Sequence, residues 1–190
     1  MLTKVKIIAE LNQRYVAGGN HSNDLEFFWD EMYPLIESYA VSTFSKAMEQ
    51  TNNPREVINN QFLKQISCVD FVGECVCDNM EYYYNIPPVT LSNNRGLLPK
   101  VMALPQDSGI FDIQVAGHCN PPIWQNAWDF SRTHGQTADL MGSRWKVIGN
   151  RIIASELWLG ATILYVPTLQ DLADNDILPL LPLAEIGLWD

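Results

Sequence analysis

Apolar residues near the start of the chain recur at every fourth position, which is the period of an amphipathic α-helix. Ile7, Leu11 and Tyr15 form one such apolar stripe. The stripe predicts a first helix over residues 3–17, and the glycine pair at 18–19 supplies the signal that ends it.

A longer stripe of the same period follows this first helix. Phe28, Met32 and Ile36 lie four positions apart and predict a second helix over residues 24–49. Pro34 lies inside the pattern and has no backbone N–H to donate, so we expect it to kink or reset the helix.

A helix start signal appears again around residue 54. Asn53 is a suitable cap, Pro54 would occupy the first helical position, and Glu56 would occupy the third. Apolar residues at a spacing of four come next. These features predict a short third helix over residues 54–64.

The second half of the chain changes to β-like patterns, and its strongest signal is the run over residues 144–153. Apolar residues lie on both sides of the dipeptide Gly149-Asn150. Glycine and asparagine tolerate the positive φ angles that a two-residue hairpin turn requires, so the run predicts a β-hairpin. Further strands are predicted near 67–76, 80–84, 89–91, 99–104, 110–116 and 161–166, and residues 117–143 are predicted to form a long excursion.

Helical patterns come first and strand patterns follow, which is typical of the α+β class. We expect N-terminal helices followed by an antiparallel β-sheet or sandwich domain built on hairpins. The expected organisation is a helical region over 1–66 and a β-rich domain over 67–190 with an extended C-terminal tail, together one compact unit. Residues 177–183 of the tail are leucine-rich and contain prolines, so they should cover their own domain or dock on a neighbour.

Composition and charge narrow the classes of function. Hydrophobic residues make up 47% of the 190 residues and charged residues 18%, which fits either a well-filled core or a surface that packs on other proteins. The formal net charge is −10, and the 12 basic residues form no run, so tight binding to nucleic-acid phosphates is not expected. DNA could still pass an acidic surface without adhering, since like charges repel.

No signal peptide and no membrane segment are expected from the hydropathy pattern.

The candidate metal ligands are Cys75, Cys77, His118 and Cys119. Zinc sites usually contain a Cys-x2-Cys spacing, whereas the first two of these cysteines are separated by a single residue. On a strand they would point to opposite faces of the sheet. We therefore expect these three cysteines to be buried as small apolar side chains, all four cysteines including Cys68 to be free thiols, and no metal site to form.

A nucleophile and a base could be assembled from His118, Cys119, His134 and Asp139. Adjacent residues such as the first two seldom face each other, and no local motif frames a nucleophile. We therefore expect no catalytic residue, no cofactor-binding residue and no cofactor, and we predict that the chain is not an enzyme.

Aromatic residues are the remaining candidate binding groups. The run Tyr82-Tyr83-Tyr84 and the pair Trp124 and Trp128 could stack on bases or sugars. Basic residues do not interleave with them, so core packing or a protein interface is the favoured interpretation.

Six segments occur along the chain in an order that resembles the order in a known class of proteins. The segments are Tyr15–Gly19, Ser67–Cys75, Ile86–Pro88, Asn94–Gly96, the hairpin from Trp145 to Ile152, and the acidic and proline-rich stretch Asp174–Pro182. On these segments the chain resembles the neck or ring adaptor proteins of tailed bacteriophages, in particular those of crAss-like and related phages.

The resemblance implies a structural virion protein without catalysis. Such head-to-tail connector adaptors form a homo-oligomeric ring of about twelve copies below the portal protein, at the neck of the particle. The ring extends the DNA channel and docks neighbouring neck or tail ring proteins. Viral DNA would pass through the lumen without specific binding, and no membrane would be involved. By this resemblance, the chain is made in the host cytoplasm, residues 24–49 form the ring body, and the β domain faces a neighbouring ring.

Other classes of function stay open at this point. Another virion protein, such as a capsid decoration protein, a head-fibre base or a tail terminator, would differ from an adaptor in copy number and symmetry. A metal- or thiol-dependent hydrolase would use Cys75, Cys77, His118 and Cys119, and stoichiometric zinc would favour it. A monomeric binding module would use a groove lined by exposed tryptophans.

Overall fold

The computed structural model describes residues 3–15, 25–51, 54–76, 79–90, 96–133 and 142–180. In these ranges the chain is an α+β protein in which strands predominate, as the sequence pattern predicts. The described helices are α1 (Lys4–Tyr15), α2 (Leu25–Glu49) and α3 (Ala127–Thr133). The described strands are β1 (Lys64–Val69), β2 (Val72–Val76), β3 (Asn79–Asn85), β4 (Pro88–Thr90), β5 (Leu97–Pro99), β6 (Ile110–Gln114), β7 (Ile123–Trp124), β8 (Arg144–Ile148), β9 (Arg151–Ala154) and β10 (Ala161–Tyr165).

The two N-terminal helices agree with the prediction from apolar spacing. The hydroxyl of Thr3 accepts a hydrogen bond from the backbone N–H of Lys6 at 3.4 Å, which caps α1. The glycine pair at 18–19 lies outside the described residues. Helix α2 continues through Pro34 as one helix of 25 residues, so the proline does not reset it.

The predicted third helix over 54–64 is wrong. Two short 3-10 turns, Pro54–Val57 and Asn60–Phe62, occupy that stretch, and β1 begins directly afterwards. The side chain of Asn59 accepts a hydrogen bond from the backbone N–H of Gln61 at 2.9 Å. Such local bonds from asparagine compete with the regular helix ladder, which explains the interruption.

The strands form three sheets in the described part of the chain. Their orders are β1-β10-β6, β2-β3-β9-β8-β7 and β4-β5. Neighbouring strands are antiparallel, except that β7 runs parallel to β8.

The strand predicted at 99–104 is wrong in extent, because β5 ends at Pro99 and Val101 makes a single bridge to Pro167. The excursion at 117–143 contains β7 and α3, which the sequence pattern did not indicate.

The predicted hairpin is present and joins β8 to β9. Val147 pairs with Ile152 and Ile148 pairs with Arg151, so two residues form the turn. Gly149 has a φ of +60°, whereas Asn150 is not among the described residues with positive φ. A single positive φ at the first turn position is the requirement of a type II′ turn, so only the glycine is needed.

The first hydrophobic core contains side chains from both larger sheets. Trp145 and Ile152 come from β8 and β9, and Ile163 comes from β10; all three are at most 1% exposed. Phe71 and Trp158 add an edge-to-face pair with ring centres 4.9 Å apart. Each large side chain buried in this way contributes roughly 1.5–3 kcal/mol, so this core holds the two sheets together.

The second hydrophobic core lies between α2 and the segment after β10. Ala40 and Phe44 of α2 are completely buried, as is Leu169, and Leu178 is 1% exposed. The helical region and the β-rich region therefore share a core.

The segment after β10 also pairs with the loop before β6. The backbone N–H of Val166 donates to the carbonyl of Gly109 at 2.8 Å, and its carbonyl accepts from Met102 at the same distance. The backbone N–H of Thr168 donates to the carbonyl of Lys100 at 3.0 Å. These bonds continue the alignment of β10 beyond the sheet.

A polar cluster around Asp171 fixes the same segment. Tyr165 donates its phenolic O–H to the Asp171 carboxylate at 3.0 Å, and Lys100 lies 3.4 Å from the other carboxylate oxygen. Lys64 donates to the backbone carbonyl of Asp171 at 2.9 Å and forms an ion pair with Asp176 at 2.9 Å. Burial raises the pKa of Tyr165, and the neighbouring Asp171 carboxylate adds to the rise, so the phenol stays a neutral donor.

Substitution of Gly109 by alanine is expected to destabilise the protein. A Cβ atom at this position would lie 2.0 Å from the backbone carbonyl oxygen of Met102, and backbone cannot move aside without disturbing its neighbours. We expect a loss of about 1–3 kcal/mol in the free energy of unfolding, measured by urea denaturation. Gly73→Ala is the matched control, because its nearest atom is the flexible methyl of Met80 at 3.0 Å. Equal losses for the two variants would contradict the expectation.

Substitution of Glu37 by glutamine is expected to stabilise the protein at neutral pH. Burial raises the pKa of Glu37, while a hydrogen bond from the backbone N–H of Leu169 at 2.9 Å partly offsets the rise. Because the pKa of Glu37 is higher in the folded than in the unfolded protein, the folded state loses stability as pH rises through the folded pKa. Glutamine cannot ionise, so it removes this loss of stability, and its amide oxygen can still accept the hydrogen bond from Leu169. The advantage of Glu37→Gln should disappear below about pH 4 in urea denaturation. Glu10→Gln, at an exposed site on α1, is the control, and a greater wild-type stability at pH 7 would contradict the expectation.

Candidate interaction surfaces

The hairpin of β2 and β3 extends past the first core as an exposed arm, which we define as residues 72–76 and 79–81. All five residues of β2 are exposed. Val72, Val76 and Met80 are among the large apolar side chains with high exposure, at 57%, 42% and 49%. The arm therefore presents apolar side chains to solvent on a strand that, among the described residues, has a neighbouring strand on one side only.

Register explains why the arm leaves the core. Tyr82 and Tyr84 point toward the first core from β3, and the ring of Tyr84 lies 5.9 Å from that of Phe71, which belongs to this core. The residues beyond Tyr82 add little to the core. Tyr82 faces Gly73, which has no side chain, and Met80 faces Cys75. Tyr83 points to the other face of the sheet, so the three tyrosines do not form one stacking platform.

The outer face of the arm carries two carboxylates directly opposite each other. Glu74 pairs with Glu81 in the register of β2 and β3. Arg151 lies 4.0 Å from Glu74, at the limit of an ion pair, and both side chains are about half exposed. The guanidinium of Arg151 also lies 4.3 Å from the ring centre of Tyr83. Like charges in directly opposed positions destabilise a hairpin, and an exposed, distant ion pair offsets this only slightly.

Helix α3 covers the other part of this outer face. The ammonium of Lys146 lies 4.6 Å from the ring centre of Phe130, and both residues are buried. Burial lowers the pKa of Lys146, while the negative charge of Glu81 raises it. In the described ranges, the outer face of the sheet is thus covered by α3 near β8 and exposed to solvent near β2.

The opposite edge of the five-stranded sheet carries a second exposed apolar site. Ile123 of β7 is 58% exposed, and Trp128 of α3 is 71% exposed. Trp124 behaves differently, because its indole N–H donates to Asp107 at 3.1 Å and its ring packs against the first core. The two tryptophans therefore do not line one groove.

A third exposed apolar site lies in the loop between β9 and β10. Leu157 and Leu159 are 48% and 58% exposed, and they flank Trp158, which is fully buried. The backbone N–H of Phe71 donates to the carbonyl of Trp158 at 2.9 Å. Leu159 therefore lies beside the root of the arm, whereas Leu157 follows Glu156, which bonds to Ser143 next to β8.

The cysteines do not behave as predicted. Cys68, Cys75 and Cys119 are free, but all three are exposed rather than buried, and Cys77 lies outside the described residues. Cys68 has a φ of +57° within the register shift of β1, which turns its side chain away from the core. Within the described ranges, no three His, Cys, Asp or Glu side chains converge on a possible metal position.

His118 contacts two residues that the sequence pattern did not indicate. Its Nδ1 atom lies 3.2 Å from the hydroxyl of Ser143 and 4.0 Å from the carboxylate of Glu156. The Ser143 hydroxyl donates to Glu156, which also accepts from the indole N–H of Trp158 at 3.4 Å. The other predicted members, His134 and Asp139, lie outside the described residues.

This polar cluster joins the two ends of the excursion at 117–143 to the loop after β9. The hydroxyl of Ser143 lies within hydrogen-bond distance of both the carboxylate of Glu156 and the Nδ1 atom of His118. A sequence motif could not reveal the cluster, because its members lie 13 and 25 residues apart.

An open cavity of about 150 Å³ lies between the loop before β6 and the β8–β9 turn. Asp107 lines it and accepts hydrogen bonds from Trp124 and from the backbone N–H of Val147, the latter at 3.3 Å. These bonds hold Asp107 at a φ of +54°, a strained value for a residue other than glycine. The remaining lining is mainly apolar, and it supplies no pair of groups for acid–base chemistry.

None of the helices in the described ranges has both the length and the apolar character that crossing a membrane requires. No known protein family matches the chain, and no curated protein sequence matches it. The interaction surfaces are therefore interpreted from their own geometry and chemistry.

Proposed function

We propose that this chain is a structural protein of a phage virion, a head-to-tail connector adaptor that forms a ring below the portal. The ring extends the DNA channel and docks neck or tail components. The resemblance in segment order to neck adaptor proteins supports the proposal. The protein has no catalytic role in this proposal.

The observation that carries the proposal is the position of the exposed apolar sites at opposite edges of one sheet. Ile123 and Trp128 lie at the β7 edge, whereas Leu159 lies between Trp158 and Gly160, which bond to Phe71 and Asp70 just before β2. A rotationally symmetric ring is built from head-to-tail contacts, in which two different surfaces of each subunit meet. Two apolar sites on opposite sides of a subunit suit such a contact.

The charge of the chain supports the same proposal. A net charge of −10 allows DNA to pass a lumen without adhering, because the phosphates and the protein surface repel each other. The arm would lie free to contact a different protein above or below the ring.

Cryo-electron microscopy of the native particle tests this proposal through copy number and symmetry. We expect about twelve copies around a DNA-filled axis at the portal vertex. Copies that follow the capsid lattice would make the chain a decoration protein instead. A soluble monomer outside any particle would overturn the virion assignment altogether.

Substitution of Trp128 by lysine is expected to block ring assembly without unfolding the subunit. Its side chain is 71% exposed, so the change in the free energy of unfolding should stay within about 0.5 kcal/mol. Assembly would be measured by mass photometry after co-expression with the portal protein. Leu97→Lys is the matched control, since Leu97 is 67% exposed on β5, away from both edge sites. Normal rings from Trp128→Lys, or loss of rings from both variants, would contradict the assignment of this site.

A further inference from the structure

Within the described residues, the edge of β2 is free and has few of the features that usually protect an edge strand. Edge strands are commonly protected by charged side chains, above all lysine, by proline, by a bulge or by short length. The edge strand β1 begins with Lys64 and has a register shift near Cys68, whereas β2 has the sequence VGECV, with no lysine, no proline and a regular register. Its only charged residue is Glu74. The edge is therefore open to pairing with another extended chain.

The side chains along the outer face of β2 define what such a chain must carry. Val72, Glu74 and Val76 alternate on this face, and all three are exposed. Glu74 already faces the like charge of Glu81 across the hairpin. A strand added at the open edge would place its own side chains about 4.5–5.5 Å from these three residues.

Charge argues against pairing of β2 with β2 of a second copy. In an antiparallel pair centred on Glu74, the two copies would place Glu81, Glu74, Glu74 and Glu81 in one row across four strands. Arg151, at 4.0 Å, is the side chain shown to form an ion pair with Glu74 in the described ranges. Neighbouring positions in such a row lie about 5 Å apart, so the four carboxylates would repel one another, and Arg151 beside Glu74 and Lys146 near Glu81 offset this only in part.

We propose that the β2 edge binds an extended segment of a different protein, which carries lysine or arginine opposite Glu74 and apolar residues opposite Val72 and Val76. Backbone hydrogen bonds from the edge would supply affinity, and the alternating side chains would supply specificity. The cation of the partner would neutralise the paired carboxylates of Glu74 and Glu81. The partner strand would become the sixth strand of the sheet that β2 now ends.

A palindromic peptide tests the proposal in solution. The probe is the fluorescently labelled, end-capped heptapeptide Thr-Val-Thr-Lys-Thr-Val-Thr, which presents the same side chains in either strand direction. The control probe has glutamate in place of lysine. Binding to the full chain would be followed by fluorescence anisotropy and located by backbone amide shifts of residues 72–76 in NMR spectra.

The wild-type protein should bind the lysine probe roughly 4- to 30-fold more tightly than the glutamate probe, and this preference should weaken with added salt. The variant Glu74→Lys should reverse the preference between the two probes. The variant Glu49→Lys makes the same charge change at an exposed site on α2 and should keep the wild-type preference. A reversal of specificity cannot result from unfolding, so the test remains valid if Glu74→Lys lowers stability.

Three results would overturn the proposal. They are equal affinity for the two probes, no saturable binding at millimolar peptide, and amide shifts that occur elsewhere but not at residues 72–76. The proposal would also be overturned if the purified chain self-associates and Glu74→Lys alters that association, because a second copy would then occupy the edge. Ring stoichiometry is measured separately, and a chain that forms no ring could still bind the lysine probe. Failure of the ring proposal and failure of this proposal are therefore distinguishable.

Discussion

Strand β10 and the segment that continues it are the constraint on which the rest of the structure depends. β10 is the central strand of the three-stranded sheet and contributes Ile163 to the first core. The chain then continues in an extended conformation through Val166 to Thr168, and a short 3-10 turn begins at Leu169; Val166 and Leu169 belong to the second core. One extended stretch thus joins the sheets to the helices, and the polar cluster of Tyr165 and Asp171 lies at the transition. A shift of one residue in this stretch would disturb both cores, because side chains alternate along an extended chain.

This shared constraint leaves one end of the five-stranded sheet without a covering layer. Helix α3 covers the outer face near β8 through the contact of Phe130 with Lys146, but it does not extend to β2. The core ends at Tyr82, so the arm beyond it is exposed on both faces. A subunit with an exposed arm and separate exposed apolar sites is well suited to an assembly in which each subunit meets several neighbours. The proposed adaptor ring uses the apolar sites at Trp128 and Leu159 for like subunits and the open edge of β2 for a different protein.

Particular residues show which parts of the fold and site were predictable. The stripe of Ile7, Leu11 and Tyr15 predicted α1 because helical periodicity is local. The third helix failed because Asn59 bonds to a nearby backbone N–H, and the apolar spacing after Pro54 gave no sign of that competition. Cys75 was predicted to be buried, but it lies on β2, all of whose residues are exposed. The contact of His118 with Ser143 and Glu156 was not predictable, because it joins segments that meet only through the sheet order.

The sequence by itself determined the α+β class, the first two helices, the β8–β9 hairpin and the acidic, charge-poor character of the chain. These properties follow from period, composition and turn residues, which act over a few neighbouring positions. Only the tertiary structure decided that β2 is an open edge, that Glu74 faces Glu81, and that Trp128 is exposed while Trp124 is held by Asp107. Those features depend on strand order and on burial against distant segments. Strand order is set by the packing of both cores at once, and no local stretch of sequence contains that information.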